Sequence, residues 1–150
     1  MTSPAPRRAR RPDLAAIAAL WRELVLHHEP GVGAAAIPAA QLERLVRDEG
    51  AAAWVVEDDG VAAGFCAAQV ETAPDALAER RRAVITELYV RPPLRRRGAG
   101  RALVAAALAW ARARGASRVE VRVAARNAEG QAFWRALGFG DFVDVLERHL

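Results

Sequence analysis

The segment Arg95-Arg96-Arg97-Gly98-Ala99-Gly100-Arg101 joins a basic turn to the start of an apolar helix, a combination suited to binding phosphate. The first turn of a helix leaves N–H groups without partners and carries the positive end of the peptide dipoles. Glycine at 98 and 100 lets an anion approach the backbone and tolerates the dihedrals that a nest of consecutive N–H donors requires. The pattern is neither of the two common phosphate loops. No Lys-Ser or Lys-Thr follows the glycines, and no third glycine stands at dinucleotide-fold spacing.

Arg95-x-x-Gly98-x-Gly100 follows a stretch ending Leu88-Tyr89-Val90. It precedes Asn127 and Phe133-Trp134-Arg135-Ala136-Leu137-Gly138-Phe139. Over about Ala83 to Phe139 this arrangement resembles the GNAT superfamily of acetyl-CoA-dependent N-acetyltransferases. The resemblance implies a mixed α/β fold with a largely antiparallel, twisted sheet and helices on both faces. It also implies that adjacent strands splay so that the pantetheine arm of acetyl-CoA bonds to the backbone at Leu88, Tyr89 and Val90. The pyrophosphate would then rest on the amides from Arg95 to Arg101, with forked arginine contacts in addition. Asn127 matches the family's contact to the cofactor arm, and it can also cap a helix.

The implied reaction moves acetyl from acetyl-CoA directly to a primary amine, with no enzyme nucleophile and no metal. An ammonium must lose its proton before it attacks, so a carboxylate would serve as general base. Glu87, the only carboxylate on its strand, is the candidate, with a salt-bridged or solvated glutamate as the plain alternative. Glu120 stands among arginines that suggest a charged outer face. Trp134 departs from the family, which commonly has tyrosine there; an indole N–H is too weakly acidic to protonate the leaving thiolate. Trp134 is therefore expected to pack on the cofactor or shape the pocket. A catalytically silent acyl-CoA-binding module is the alternative that this departure raises.

The elements that must position these residues are legible in order. Residues 7–11 suit a short strand, and Pro12-Asp13 a helix start with Asp13 as N-cap. Leu14, Ile17, Leu20, Trp21, Leu24 and Val25 form one apolar stripe running to about His28, ended by residues 30–33. His27 and His28 read as exposed histidines at that helix end. Residues 38–49 predict a second helix with Leu42, Leu45 and Val46 inward and Gly50 as its stop. Residues 52–57 and 61–71 predict a hairpin across Asp58-Asp59-Gly60, and Cys66 in its second strand reads as a small core residue. Residues 72–82 suggest a loop, and 83–91 a central strand closed by Pro92-Pro93.

A helix follows from Gly98 to about Arg114, with Leu103, Val104, Ala107, Leu108, Trp110 and Ala111 facing inward. Residues 117–124 alternate strictly, with Val119, Val121 and Val123 on one face and Arg118, Glu120 and Arg122 on the other. Asn127 opens a helix that ends at Gly138, and residues 142–150 suggest a last strand pairing with its predecessors.

The 150 residues suit one domain spanning the whole chain, with 53% hydrophobic and 27% charged residues. The net charge of +4 invites a nucleic-acid reading, but all 22 basic residues are arginine, which marks a compositional bias spread over ordinary surface. Nucleic acid is accordingly not expected as a partner, and the arginine clusters at 7–11 and 80–82 read as solvated charge. The single cysteine precludes an internal disulfide and fits a reducing compartment. No signal peptide or membrane span is evident, so a cytoplasmic location is expected. The acceptor, a small-molecule or peptide amine, and a homodimer formed through exposed sheet edges are expectations that no single residue fixes.

Overall fold

The computed structural model describes residues 4–31, 36–72 and 81–150. Five strands form one sheet in sequence order: β1 (Arg7–Arg8), β2 (Ala51–Asp58), β3 (Val61–Thr72), β4 (Arg81–Val90) and β5 (Arg118–Val121). The first three pairings are antiparallel and β4–β5 is parallel. The helices are α1 (Leu14–His28), α2 (Ala39–Arg47), α3 (Ala99–Ala113) and α4 (Ala128–Ala136). This is the mixed, largely antiparallel sheet that the sequence suggested.

Helices cover both faces because both faces of the sheet are apolar. On one side Ile17, Leu20 and Trp21 of α1 and Leu45 of α2 meet Val55, Phe65 and Tyr89. On the other, Leu103, Val104, Ala107, Trp110 and Ala111 of α3 pack on Trp54, Val56, Cys66 and Ile85, and Trp134 of α4 joins them. Cys66 is buried, and that burial pushes its thiol pKa far up, so it is an inert core residue. The Asp-Gly turn forms as read: Asp59 and Gly60 have φ of 50° and 78°, the left-handed pair that matches the twist of a tight hairpin.

Several expectations are corrected. Asp13 does not cap α1. It closes a short 3₁₀ turn at Arg11–Asp13, accepting from the Arg10 N–H at 2.7 Å and from Arg7 at 2.7 and 2.8 Å. The strand read as central lies fourth of the five, and β3 occupies the middle. Of the expected loop, Thr72, Arg81 and Arg82 belong to strands, and residues 73–80 lie outside the described residues, as do Val32 and Gly33. Only Arg118–Val121 of residues 117–124 pair as a strand. Residues 142–150 form no strand and are exposed throughout. Alternation reports a preference for extended backbone, and pairing needs an edge within reach.

The basic clusters are structural. Arg7 binds both Asp13 and Glu57, Arg11 pairs with Glu43, and Arg8 lies over the Trp54 ring. Glu71, Arg82, Glu120 and Arg118 form a charged ladder across three strands, which agrees with Glu120 being on a charged face. Arg81 donates to the Arg114 carbonyl at the end of α3.

Candidate active site

The site begins where two strands part. The β4–β5 ladder runs from Arg82↔Arg118 to Ile85↔Val121 and stops, whereas β4 continues to Val90. The Arg91 N–H bonds to the Ala63 carbonyl on the β3 side. By antiparallel alternation, Tyr89 then also turns its backbone groups toward β3, and Leu88 and Val90 turn theirs toward the gap. Of the three residues read as backbone binders, Leu88 and Val90 thus present donors and acceptors to the opening. Tyr89 contributes a buried ring on the α1–α2 side.

A bulge sets which side chains flank this gap. Ala67 pairs with Glu87 and Ala68 with Ile85, leaving Thr86 as the extra residue, whose hydroxyl donates to the Ala67 carbonyl at 3.3 Å. The bulge reverses the alternation. Ala83 and Ile85 face α3, yet beyond the bulge it is Leu88 and Val90 that join that core, with Tyr89 on the opposite face. Glu87 shares the face of Tyr89, as the two-residue period suggested, but Ile85 does not. Burial pushes the Glu87 pKa above the ordinary carboxylate range, and the nearby Thr86 hydroxyl partly offsets this.

At the end of β4 the chain passes through a 3₁₀ turn at Pro92–Leu94 into the basic turn. Arg96 and Gly98 both have left-handed φ, 62° and 81°. A non-glycine residue held there is uncommon and marks a loop shaped by more than local preference. Gly98 is the N-cap of α3 and supplies no side-chain cap, so the first-turn amides of Ala99, Gly100 and Arg101 are left for another acceptor. Arg95 folds back: its Nε donates to the Val90 carbonyl at 2.7 Å and its guanidinium carbon lies 5.7 Å from the Tyr89 ring centroid. It ties the basic turn to the strand end and occupies one of the acceptors facing the gap.

The turn also leans on α4. A Cβ on Gly100 would lie 3.3 Å from the Phe133 ring, so this glycine serves helix packing. Trp134 is 8% exposed and stacks edge-to-face with Phe133 and Phe139, each at 5.1 Å. Asn127 caps α4 by accepting from the Gly130 N–H at 3.0 Å. Gly130, missed in the sequence, is what permits that cap, since a Cβ there would come within 2.4 Å of the Asn127 side chain. Asn127-x-x-Gly130 was visible but carries no meaning until the cap geometry is known. His27 and His28 stack on each other at the exposed end of α1. Among the described residues no group of three or more His, Cys, Asp or Glu could hold a metal ion, and no helix is long and apolar enough to cross a membrane.

This arrangement can hold an extended, bond-forming arm along β4 with a phosphate at its end. The residues therefore fit a pantetheine pyrophosphate, on the evidence of the Leu88 backbone groups and the Val90 N–H that face the gap and the uncapped amides of α3. The chain is structurally similar to the aminoglycoside N-acetyltransferase AAC(6')-Iy in complex with CoA (TM-score 0.79, 21% identity, 97% of this chain and 98% of that one). It is also similar to a transcriptional regulator from Bacillus halodurans C-125 (0.80, 18%, 98% and 99%). A third similar structure is the aminoglycoside acetyltransferase meta-AAC0020, from an uncultured soil metagenomic sample, in complex with sisomicin (0.78, 18%, 99% and 97%). No curated protein sequence matches. The sequence model of the Acetyltransferase (GNAT) family matches residues 17–139, so the chain belongs to the GNAT family and is an acetyl-CoA-dependent N-acetyltransferase.

Proposed function

We propose that this enzyme acetylates the primary amine of a small-molecule acceptor, with Glu87 as general base. The observation that carries the reading is the parting of β4 from β5 after Ile85, which runs directly into the amides at the head of α3. Leu88 and Val90 would bind the pantetheine arm as a short added strand, through the Leu88 N–H and C=O and the Val90 N–H, the Val90 carbonyl being taken by Arg95. Arg97, Gly98, Ala99, Gly100 and Arg101 would hold the pyrophosphate, with Arg96 beside them and Arg95 bracing the turn. Asn127 retains its amide N–H₂ for the arm, because only its oxygen is used in the cap.

Glu87 stands on the α1–α2 side of β4, so the acceptor would enter from that face. Its half-buried carboxylate, made more basic by burial, would take the proton of the incoming ammonium. The freed amine then forms the C–N bond as the C–S bond breaks. The Val90 N–H is aimed so that it could donate to the thioester oxygen as charge builds there. Trp134, enclosed by Phe133 and Phe139, would support the pocket wall. The thiolate, near pKa 8.5 when free, can take its proton from water. The similar proteins named as aminoglycoside acetyltransferases support a small polyamine as the acceptor class.

Calorimetry with acetyl-CoA, CoA and ATP, followed by thiol release with a panel of aminoglycosides, linear polyamines and peptides, tests this. We expect binding that requires the pantetheine arm and thiol release that depends on a small amine. Binding without transfer to any amine would favour the silent acyl-CoA-binding alternative, and turnover with peptides alone would overturn the acceptor class.

A further inference from the structure

An extended residue turns its N–H and C=O to the same side, so a strand edge offers a donor and an acceptor close together. At Val90 both face the gap, since the β4–β5 ladder ends at Ile85 and no strand among the described residues covers them. A thioester oxygen that accepted from the Val90 N–H would therefore stand beside the Val90 carbonyl oxygen. As charge built on the thioester oxygen, the lone pairs of that neighbour would oppose it and cancel part of what the donor contributes. A bare strand edge is thus a poor place to polarise a carbonyl.

Arg95 removes the conflict. Its Nε donates to the Val90 carbonyl at 2.7 Å, the distance of a charge-assisted bond. Several contacts hold the side chain there. The Arg95 N–H bonds to the Pro92 carbonyl at 3.1 Å, which fixes its backbone to the 3₁₀ turn. Arg96 takes the left-handed φ of 62° that redirects the chain toward α3. The guanidinium lies over the ring of Tyr89, which is itself buried among the residues under α1. On the far side of the same peptide, the Arg91 N–H bonds to the Ala63 carbonyl at 2.9 Å. The Val90–Arg91 peptide is thus fixed through both its N–H and its C=O, and a positive charge stands behind the carbonyl.

We infer that Arg95 is a positioning residue for acetyl transfer: by taking the Val90 carbonyl it leaves the Val90 N–H as the group that this part of β4 presents to the thioester oxygen. The inference rests on the reading of acetyl-CoA along β4. It gives Arg95 a task different from the forked phosphate contact that the sequence suggested, because the side chain is engaged at the strand end. A residue in this role acts on the rate of transfer and contributes little to affinity, since the amides of α3 and the Leu88 groups are untouched by it.

The test compares the parent with Arg95→Met, which keeps a side chain of similar length without donor or charge, and with Arg95→Lys, which restores both. Infrared difference spectra of bound acetyl-CoA, isotopically labelled at the thioester carbonyl, report polarisation directly, and calorimetry reports affinity. In the parent the carbonyl band is expected below its position in water. In Arg95→Met it should move back toward that position, and kcat should fall about tenfold, a modest factor because solvent screens an exposed charge. Acetyl-CoA affinity and the KM for the amine should stay within about threefold, and Arg95→Lys should return both band and rate. An unshifted band in Arg95→Met would overturn the inference. So would an affinity loss of about tenfold or more, the mark of a phosphate ligand. Arg95 is exposed, so the fold should survive; a variant that failed to fold by circular dichroism would make Arg95 a structural brace and overturn the inference as well. If the parent bound no acetyl-CoA, the reading of the cofactor along β4 would fall and this inference with it, whereas bound acetyl-CoA with an unshifted band removes the role of Arg95 alone.

Discussion

Glu87 is the residue on which chemistry and stability pull in opposite directions. Burial raises its pKa, so the folded state favours its neutral form. That contribution is complete below the ordinary glutamate range, near pH 4.3, and is lost as pH rises through the raised value. Glu87→Gln is therefore expected to melt at or above the parent temperature at pH 8, with the difference vanishing near pH 4. Its amine-dependent rate should fall about 100-fold or more at pH values below the acceptor's own pKa, with CoA affinity intact. Parental rates across pH would remove Glu87 as the base, and a variant less stable at pH 8 would contradict the burial argument. Gly98 gives a separate test of the phosphate turn. Gly98→Val forces a β-branched residue to φ near 81° and closes the approach to the amides. It should weaken acetyl-CoA binding tenfold or more yet leave an acetyl-pantetheine fragment, which has no pyrophosphate, nearly unaffected. Equal loss for both ligands would mean that the turn holds the strand and not the phosphate.

The elements show why some of this was legible in the sequence and some was not. The hairpin was readable because Asp59-Gly60 settles its own φ angles, and α1 and α3 because their apolar stripes are properties of one helix. The turn from Arg95 into α3 was readable for the same local reason, since Gly98 takes the left-handed φ that opens the helix. The Thr86 bulge was not, since a bulge is a relation between β3 and β4 and leaves no mark in either alone. Alternation along residues 142–150 was real, but alternation names no partner. Asn127 could be read as a cap, whereas the need for Gly130 arises only when the Asn127 side chain swings back over the first turn of α4. Gly130→Ala should therefore cost about 1 kcal/mol or more by removing the cap and should weaken CoA binding through Asn127. Thermal melts and calorimetry on the same sample check both effects, and an unaltered melt would show that the cap is not formed.

Across the whole molecule, the N-terminal arginines act as fasteners. Arg7 joins β1 to the turn before α1 and to β2, and its hydrogen bonds lower the Asp13 pKa from 3.8 to about 2. Stability from a depressed carboxylate is present above its unfolded pKa and is lost as pH falls through the folded one. The parent should accordingly lose stability between about pH 4 and pH 2, and Asp13→Asn should show a shallower fall in melting temperature over that window. Identical slopes would mean that the Arg7 contact is not kept in solution. The parting of β4 and β5 has a further consequence. A sheet normally exposes raw edges only at its margins, and here one lies in its interior, at Leu88 and Val90. Such an edge is a template for stray strands; Arg95 covers its Val90 carbonyl, and acetyl-CoA, if it lies there as proposed, would shield the rest and act as a chaperone to the protein that consumes it.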